Sequence, residues 1–165
     1  MSDTPSSNEF DLIFEGSARA TGKMRCDVRV DMPAWGEHWD LATDEGAFHG
    51  GDASAPPPLA LFTAGFAGCI MTQIRAFSKR LKIPVDDVRL GVKCHWKGEM
   101  QPDKTYHGLP VSFDLDVEID SPASFADQKR LVDAAQLGCF IEGSLRGGGA
   151  LTHRLKDDAG QWVSV

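Results

Sequence analysis

The feature that most constrains this chain is a series of apolar residues at 59, 62, 66, 69/70, 74, 77 and 81, set between Pro58 and Pro84. Steps of three and four keep these residues on one stripe of an α-helix, so the spacing predicts a single long helix with one face committed to a core. Proline is tolerated in a first helical turn and halts a helix just past its end, which suits both positions. Ala60, Ala64, Gly65, Ala67 and Gly68 crowd small side chains into the first half. That half is expected to be buried on most sides, close to another helix or backbone.

The flanking sequence supplies strands for such a helix to pack on. Cys26, Val28 and Val30 alternate with Arg25, Asp27, Arg29 and Asp31. Val88, Leu90, Val92, Cys94 and Trp96 alternate with polar residues and Gly91, and so do Val111, Phe113, Leu115, Val117 and Ile119 with Ser112, Asp114, Asp116, Glu118 and Asp120. A period of two marks half-buried strands, the last two as antiparallel neighbours. Further strands are expected at 10–20 and 39–42, loops at 46–58 and 98–110, and a terminal hairpin of 151–156 and 161–165 around Asp157-Asp158-Ala159-Gly160. A second helix is expected from Ser121-Pro122 to about Leu137. Ser124, with capping-box spacing to Asp127, and Ser121 compete as its N-cap, and Gly138 fits its C-terminal end. One or two more turns follow over 139–145. Strand runs separated by helices imply an α+β class with antiparallel sheet. Residues 1–9 read as a disordered leader and 10–165 as one domain, with neither repeat nor linker.

Charge narrows the partners. Seventeen Lys and Arg against 24 Asp and Glu leave a net charge of −7. Nothing offsets phosphate repulsion, so neither a nucleic acid nor an anionic membrane is expected. The polar, acidic start lacks the basic and apolar regions of a signal peptide. The longest apolar stretch, Pro56 to Met71, falls short of the roughly 20 residues that span a bilayer. A cytoplasmic location follows as the expectation, and structural disulfides are rare there. The four cysteines therefore need individual accounts. Cys26 and Cys94 fall in register with apolar strand faces and read as small core hydrophobes. His95 adjoins Cys94, but no C-x-x-C or H-x-x-x-H spacing supports zinc, and no metal or cofactor is expected. Asp114, Asp116 and Glu118 share a solvated strand face, and Arg146-Gly147-Gly148-Gly149 reads as a turn without the Lys-Ser/Thr of a P-loop. Cys69 and Cys139 each follow a glycine in helical context. They pack as core residues or form a dithiol of one attacking and one resolving sulfur.

The stretch from Gly50 to Cys69, with Gly50-Gly51-Asp52-Ala53 opening a loop and Ala64-Gly65-Phe66-Ala67-Gly68-Cys69 closing on a helix, resembles the central signature of the OsmC/Ohr family (osmotically inducible protein C and organic hydroperoxide resistance). The later Ala134-Ala135-Gln136-Leu137-Gly138-Cys139-Phe140-Ile141-Glu142 resembles its second motif, A-x-x-x-C-P-V-S. Arg75, six residues past Cys69, recurs in some members. The order of elements agrees from about residue 10 to the end. The resemblance implies an intertwined homodimer of α+β protomers, with curved antiparallel sheets wrapped around two central helices. It also implies thiol-dependent reduction of small hydrophobic hydroperoxides. Cys69 would attack, Cys139 would resolve, and an external dithiol, lipoyl-based in some members, would reset the pair.

The chemistry needs a thiolate. A free cysteine with a pKa of about 8.5 is only a few per cent ionised at neutral pH, and burial raises the pKa further. The family supplies an Arg held by a Glu at the helix start. Here Leu59 and Ala60 stand at those Glu positions and His49 stands where the loop Arg is expected. His49, Arg19 and Arg25 are the available substitutes. Arg75 lies about 240° around the helix from Cys69 and points away from it. Phe140 replaces the proline of the second motif, and Glu142 places a carboxylate one turn past the second cysteine. Trp35, Trp39, Phe48 and Phe66 could wall an apolar pocket, though Trp35, Trp39 and Phe48 serve equally as packing or interface residues. Loss of the activating Glu and Arg leaves a second reading open: a non-catalytic protein that binds a small ligand or senses redox state.

Overall fold

The computed structural model describes residues 8–147, 154–156 and 161–164. Most of the expected leader, the Gly148-Gly149 turn, the first residues of the terminal hairpin and its turn at 157–160 lie outside them. The chain gathers into two compact units, one within Met1–Phe62 and one within Thr63–Val165.

The first unit holds an antiparallel meander of β1 (Glu15–Ala20), β2 (Cys26–Met32) and β3 (Glu37–Thr43), in that order. Pairing runs from Glu15↔Asp31 to Ala20↔Cys26 and from Cys26↔Thr43 to Met32↔Glu37. The first strand starts at Glu15 rather than at residue 10. The reason lies in its partner: β2 turns away after Met32, where the N–H groups of Trp35 and Gly36 fold back onto the Met32 carbonyl at 3.1 Å. Gly36 takes the positive φ of +68° that this turn needs. Residues 10–14 therefore have no ladder to join.

The loop after β3 is tied shut by one carboxylate. Asp44 is 2% exposed. It accepts hydrogen bonds from the Ser54 N–H at 2.9 Å, the Ser54 hydroxyl at 2.7 Å and the Glu45 N–H at 2.9 Å. Those bonds, led by the one from the Ser54 backbone, hold its carboxyl below the usual carboxylate range. Its own N–H donates to the Pro56 carbonyl at 3.2 Å. Gly51 closes the turn because a Cβ there would lie 1.9 Å from the Glu45 carbonyl oxygen. A short 3-10 turn, Ala47–His49, sits inside this loop.

Helix α1 (Pro58–Leu81) follows as the apolar stripe requires. Its 24 residues are by length and composition enough to cross a membrane, which corrects the length argument drawn from the apolar run. Its stripe is committed elsewhere: Phe66, Ile70 and Ile74 are fully buried in the core of the second unit, with Cys69, Phe77 and Leu81 packed alongside. The expectation that its first half is enclosed does not hold, since Ala60, Ala64, Gly65 and Gly68 remain exposed.

The second unit pairs α1 with a long ribbon of β4 (Asp87–Met100) and β5 (Tyr106–Asp120). The loop expected over 98–110 shrinks to a turn at 101–105. Both strands run on through Gly98, Gly108 and Pro110, and the register slips between His95 and Trp96, opposite Ser112 and Pro110. That slip leaves Val111 as a bulged residue beside the proline, a place where a strand can lose an N–H. The inner face of the ribbon (Val88, Leu90, Val92 and Cys94 with Phe113, Leu115, Val117 and Ile119) packs on the core. Phe113 meets Phe66 edge-on at 6.3 Å.

Helix α2 (Phe125–Gly138) is capped by Ser124, whose hydroxyl accepts from the Asp127 N–H at 3.2 Å. The competing Ser121 instead donates to the Pro84 carbonyl and accepts from the Ala123 N–H. Helix α3 (Phe140–Gly147) supplies the two extra turns. A short hairpin of β6 (Arg154–Lys156) and β7 (Trp162–Ser164) follows. The class is α+β with antiparallel sheets, as the sequence implies.

Candidate active site

The second unit brings Cys69 and Cys139 together. Cys69 lies in the fourth turn of α1, on its packed stripe. Cys139 is the single extended residue, at φ −77° and ψ 111°, between the end of α2 and the start of α3. Its carbonyl accepts from the Gly143 N–H at 2.9 Å, and its sulfur accepts from the backbone N–H groups of Ile141 and Glu142. Cys139 therefore fills the N-cap position of α3, with sulfur doing what a Ser or Asp oxygen does elsewhere.

Gly138 explains why that junction reaches α1. A Cβ at Gly138 would lie 2.7 Å from two ring carbons of Phe77. Only a residue without a side chain lets the end of α2 close on α1 at this point. The two sulfurs end 3.2 Å apart, with Cys139 donating to Cys69. Both thiols are free.

Cys139 is 1% exposed, whereas Cys69 is only partly buried. Burial pushes the Cys139 thiol up to about 11; the hydrogen bond to Cys69 and the charge there push the same way, and the α3 N–H groups oppose them. The pair is thus asymmetric. Cys139 holds its proton and aims it at the sulfur of Cys69, which is the better exposed of the two.

Glu142 stands on the same first turn of α3. Burial raises its carboxyl pKa and the Arg146 guanidinium pulls it back. Arg146 holds one carboxylate oxygen, Oε2, at 3.2 Å. The other site candidates lie in the first unit, apart from Phe66, which is buried one turn before Cys69. Arg19 is on β1, directly across from Asp27. Arg25 binds the Ser54 carbonyl at 3.2 Å and hydroxyl at 3.0 Å, and lies 3.3 Å from Asp27. His49 meets the Phe48 ring edge-on at 4.8 Å, and Trp39 neighbours Phe14 at 6.4 Å. Trp35 and Phe48 are 66% and 94% exposed. Among the described residues, no three His, Cys, Asp or Glu side chains group to hold a metal ion. Helix α2 ends at Gly138 as the sequence suggests; sequence reasoning missed the capping of α3 by Cys139, which the Cys139-Phe140 helix start could have suggested, and the close approach of Gly138 to Phe77.

Comparison with known proteins places this geometry in a family. A sequence model of the family described as OsmC-like protein matches residues 50–154, a span that includes both cysteines. The chain belongs to the OsmC-like protein family. Among solved structures, an OsmC-like hydroperoxide resistance protein from Jannaschia sp. CCS1 is 41% identical, over 93% of this chain and 98% of that one, with a TM-score of 0.64. An organic hydroperoxide resistance protein OsmC from Legionella pneumophila is 23% identical over 84% and 90% of the two chains, at a TM-score of 0.60. An OsmC-like protein from Mycoplasma pneumoniae is 18% identical over 84% and 91%, at 0.63. The last two share the OsmC-like fold. A search among curated proteins gives no match.

Proposed function

We propose that this OsmC-like chain reduces organic hydroperoxides through the Cys69–Cys139 dithiol. The observation that carries the reading is the 3.2 Å approach of two free sulfurs, one better exposed and one buried with its proton. Cys69 attacks the outer oxygen of the hydroperoxide, the O–O bond breaks, and the alkoxide leaves as an alcohol after taking up a proton. Cys69 is then a sulfenic acid. Cys139 attacks it, water leaves, and a disulfide forms. About 1.2 Å of closure takes the sulfurs from their present separation to bonding distance. An external dithiol, lipoyl-based in some members of the family, restores both thiols. A reducing cytoplasm suits such a pair.

The working form is a homodimer. In support, Phe10, Ile13, Phe14 and Leu41 are exposed in the first unit, and the small-residue face of α1 is open. His49, Arg19 and Arg25 are the cations that would promote the Cys69 thiolate, and Trp35, Trp39, Phe48 and Phe66 the apolar wall. A second reading, a ligand-binding or redox-sensing protein without turnover, draws on one observation: the first turn of α1 carries no acidic residue to hold an activating Arg.

Intact-mass analysis of reduced protein with one equivalent of cumene hydroperoxide tests the first reading. Loss of about 2 Da within seconds, mapped to a Cys69–Cys139 linkage, is the expected result. Thiols that stay reduced over minutes would favour the second.

A further inference from the structure

The two sulfurs are held by separate elements, and their spacing is a property of the fold. Cys69 stands on α1 and Cys139 at the N-cap of α3, 3.2 Å apart and unlinked. Gly138 packs against Phe77, and the N–H groups of Ile141 and Glu142 donate to the Cys139 sulfur, so neither thiol hangs from a free loop. Two thiols fixed this close are a chelating pair for a soft, thiophilic atom.

The spacing selects among such atoms. At about 2.3 Å from each sulfur, a usual metal–thiolate length, the bound atom would see them about 88° apart. On the same bond length a linear ion such as copper(I) or mercury(II) needs the sulfurs about 4.6 Å apart, and tetrahedral zinc about 3.8 Å. Zinc also takes at least three protein ligands, and the described residues group no three His, Cys, Asp or Glu side chains. Trivalent arsenic meets both conditions. It is pyramidal, its bond angles are a little wider than a right angle, and two sulfurs suffice when a hydroxyl fills its third place.

The fold leaves room for it. Helical side chains lean toward the N-terminus, so Cys69 leans over position 65, one turn back. That position is Gly65, which is exposed. A Cβ there would meet one side-chain atom within 4 Å, Ile141 Cδ1 at 3.8 Å. Gly68, beside Cys69, is also exposed, and a Cβ on it would meet nothing within 4 Å. A small molecule, uncharged at neutral pH as arsenous acid is, thus reaches Cys69 from the open side of α1 and Cys139 by way of Cys69.

We propose that Cys69 and Cys139 form a bidentate site for trivalent arsenic, taken up as arsenous acid. The Cys69 sulfur displaces one hydroxyl from arsenic, and the Cys139 sulfur displaces a second. Each hydroxyl leaves as water with a thiol proton, so As(OH)₃ and two thiols give one As–OH held by two sulfurs, and two waters. No electron moves: arsenic stays trivalent and both sulfurs stay at the thiol level. The site does not rest on the peroxide reading, although bound arsenic occupies the sulfurs which that reading uses.

Reduced full-length protein, freed of added thiols, is titrated with sodium arsenite and read by intact mass, by alkylation of the remaining thiols and by X-ray absorption at arsenic. The expected result is one arsenic per chain with two sulfurs and one oxygen around it, and protection of Cys69 and Cys139 but not of Cys26 and Cys94. Cys69→Ser or Cys139→Ser, each checked for folding by circular dichroism, is expected to weaken binding about hundredfold or more, because a held second thiol acts at high effective concentration. Cys26→Ala is expected to leave it unchanged. No adduct, three sulfurs around arsenic, or an affinity that survives either serine would overturn the site. If arsenite caps the pair while cumene hydroperoxide leaves the thiols reduced, the site stands and the peroxide reading falls. If peroxide links the sulfurs and arsenite does not bind, the reverse holds.

Discussion

Two antiparallel sheets in this chain carry the same alternation of apolar and polar residues and meet different conditions. In the β4–β5 ribbon, the apolar face from Val88 to Cys94 and from Phe113 to Ile119 packs against a core whose center is Phe66, Ile70 and Ile74. In the β1–β3 meander, Met32 is the only buried strand residue, and Trp39 and Leu41 stay exposed. A period of two therefore tells which residues share a face; it does not tell what covers that face. The second unit brings its cover from the helices on either side of the ribbon. The first is ordered at its far end by polar bonds, those of Asp44 to Ser54 and Glu45, rather than by apolar burial.

The largest effect that would sharpen this contrast is truncation of the cores. Phe66→Ala removes a fully buried ring and is expected to cost about 3–5 kcal/mol in urea unfolding. Leu41→Ala, on the exposed sheet, is expected to cost less than about 1 kcal/mol in dilute protein. Equal costs would break the comparison. A Leu41→Ala cost that grows with protein concentration would show that a second copy covers that face.

Glycine substitutions come next in size. In Gly51→Ala the new methyl meets a fixed carbonyl oxygen, and in Gly138→Ala it meets the Phe77 ring. Each is expected to destabilise by about 1–3 kcal/mol, Gly51→Ala the more because backbone yields less than a side chain. Gly138→Ala should in addition separate the sulfurs and slow disulfide formation, whereas Gly51→Ala should loosen the loop ahead of α1. Measured stability together with the rate of thiol oxidation distinguishes the two.

The smallest effect is a pH dependence confined to the second unit. Burial raises the Cys139 thiol from an ordinary 9.0 to about 11. The unfolded chain ionises first as pH rises, so the stability that depends on a neutral Cys139 is complete below about pH 9 and is lost progressively toward pH 11. Thermal melts across that range should show a fall for the wild type that Cys139→Ala lacks.

Much of this was legible in the sequence, and what was not has physical reasons. The stripe of α1 and the ribbon pairing are local patterns, so their residues could be assigned to faces directly. The stretch 98–110 misleads because Gly98, Gly108 and Pro110 are breakers in isolation, whereas a two-stranded ribbon tolerates a proline next to a bulge. The union of Cys69 with Cys139 has no signal in periodicity; only the resemblance of both motifs to one family implies it. Burial raises the pKa of the Cys139 thiol, whose place between two helices no hydrophobic pattern displays. The burial of Asp44 and Glu142 is equally invisible, because each depends on what a loop or a helix end folds against.

The separation of the two cysteines along the chain carries a further consequence. They are 70 positions apart, with the whole β4–β5 ribbon and α2 between them. A covalent link across a segment of that length removes enough freedom from the unfolded chain to stabilise the fold by about 4 kcal/mol, in the chain-entropy account of cross-links. In the proposed cycle, oxidation would convert a looser protein into a stapled one, and the reductant that resets the sulfurs would also unlock the fold. The oxidised fraction of a population could then be read from its melting curve as directly as from its mass.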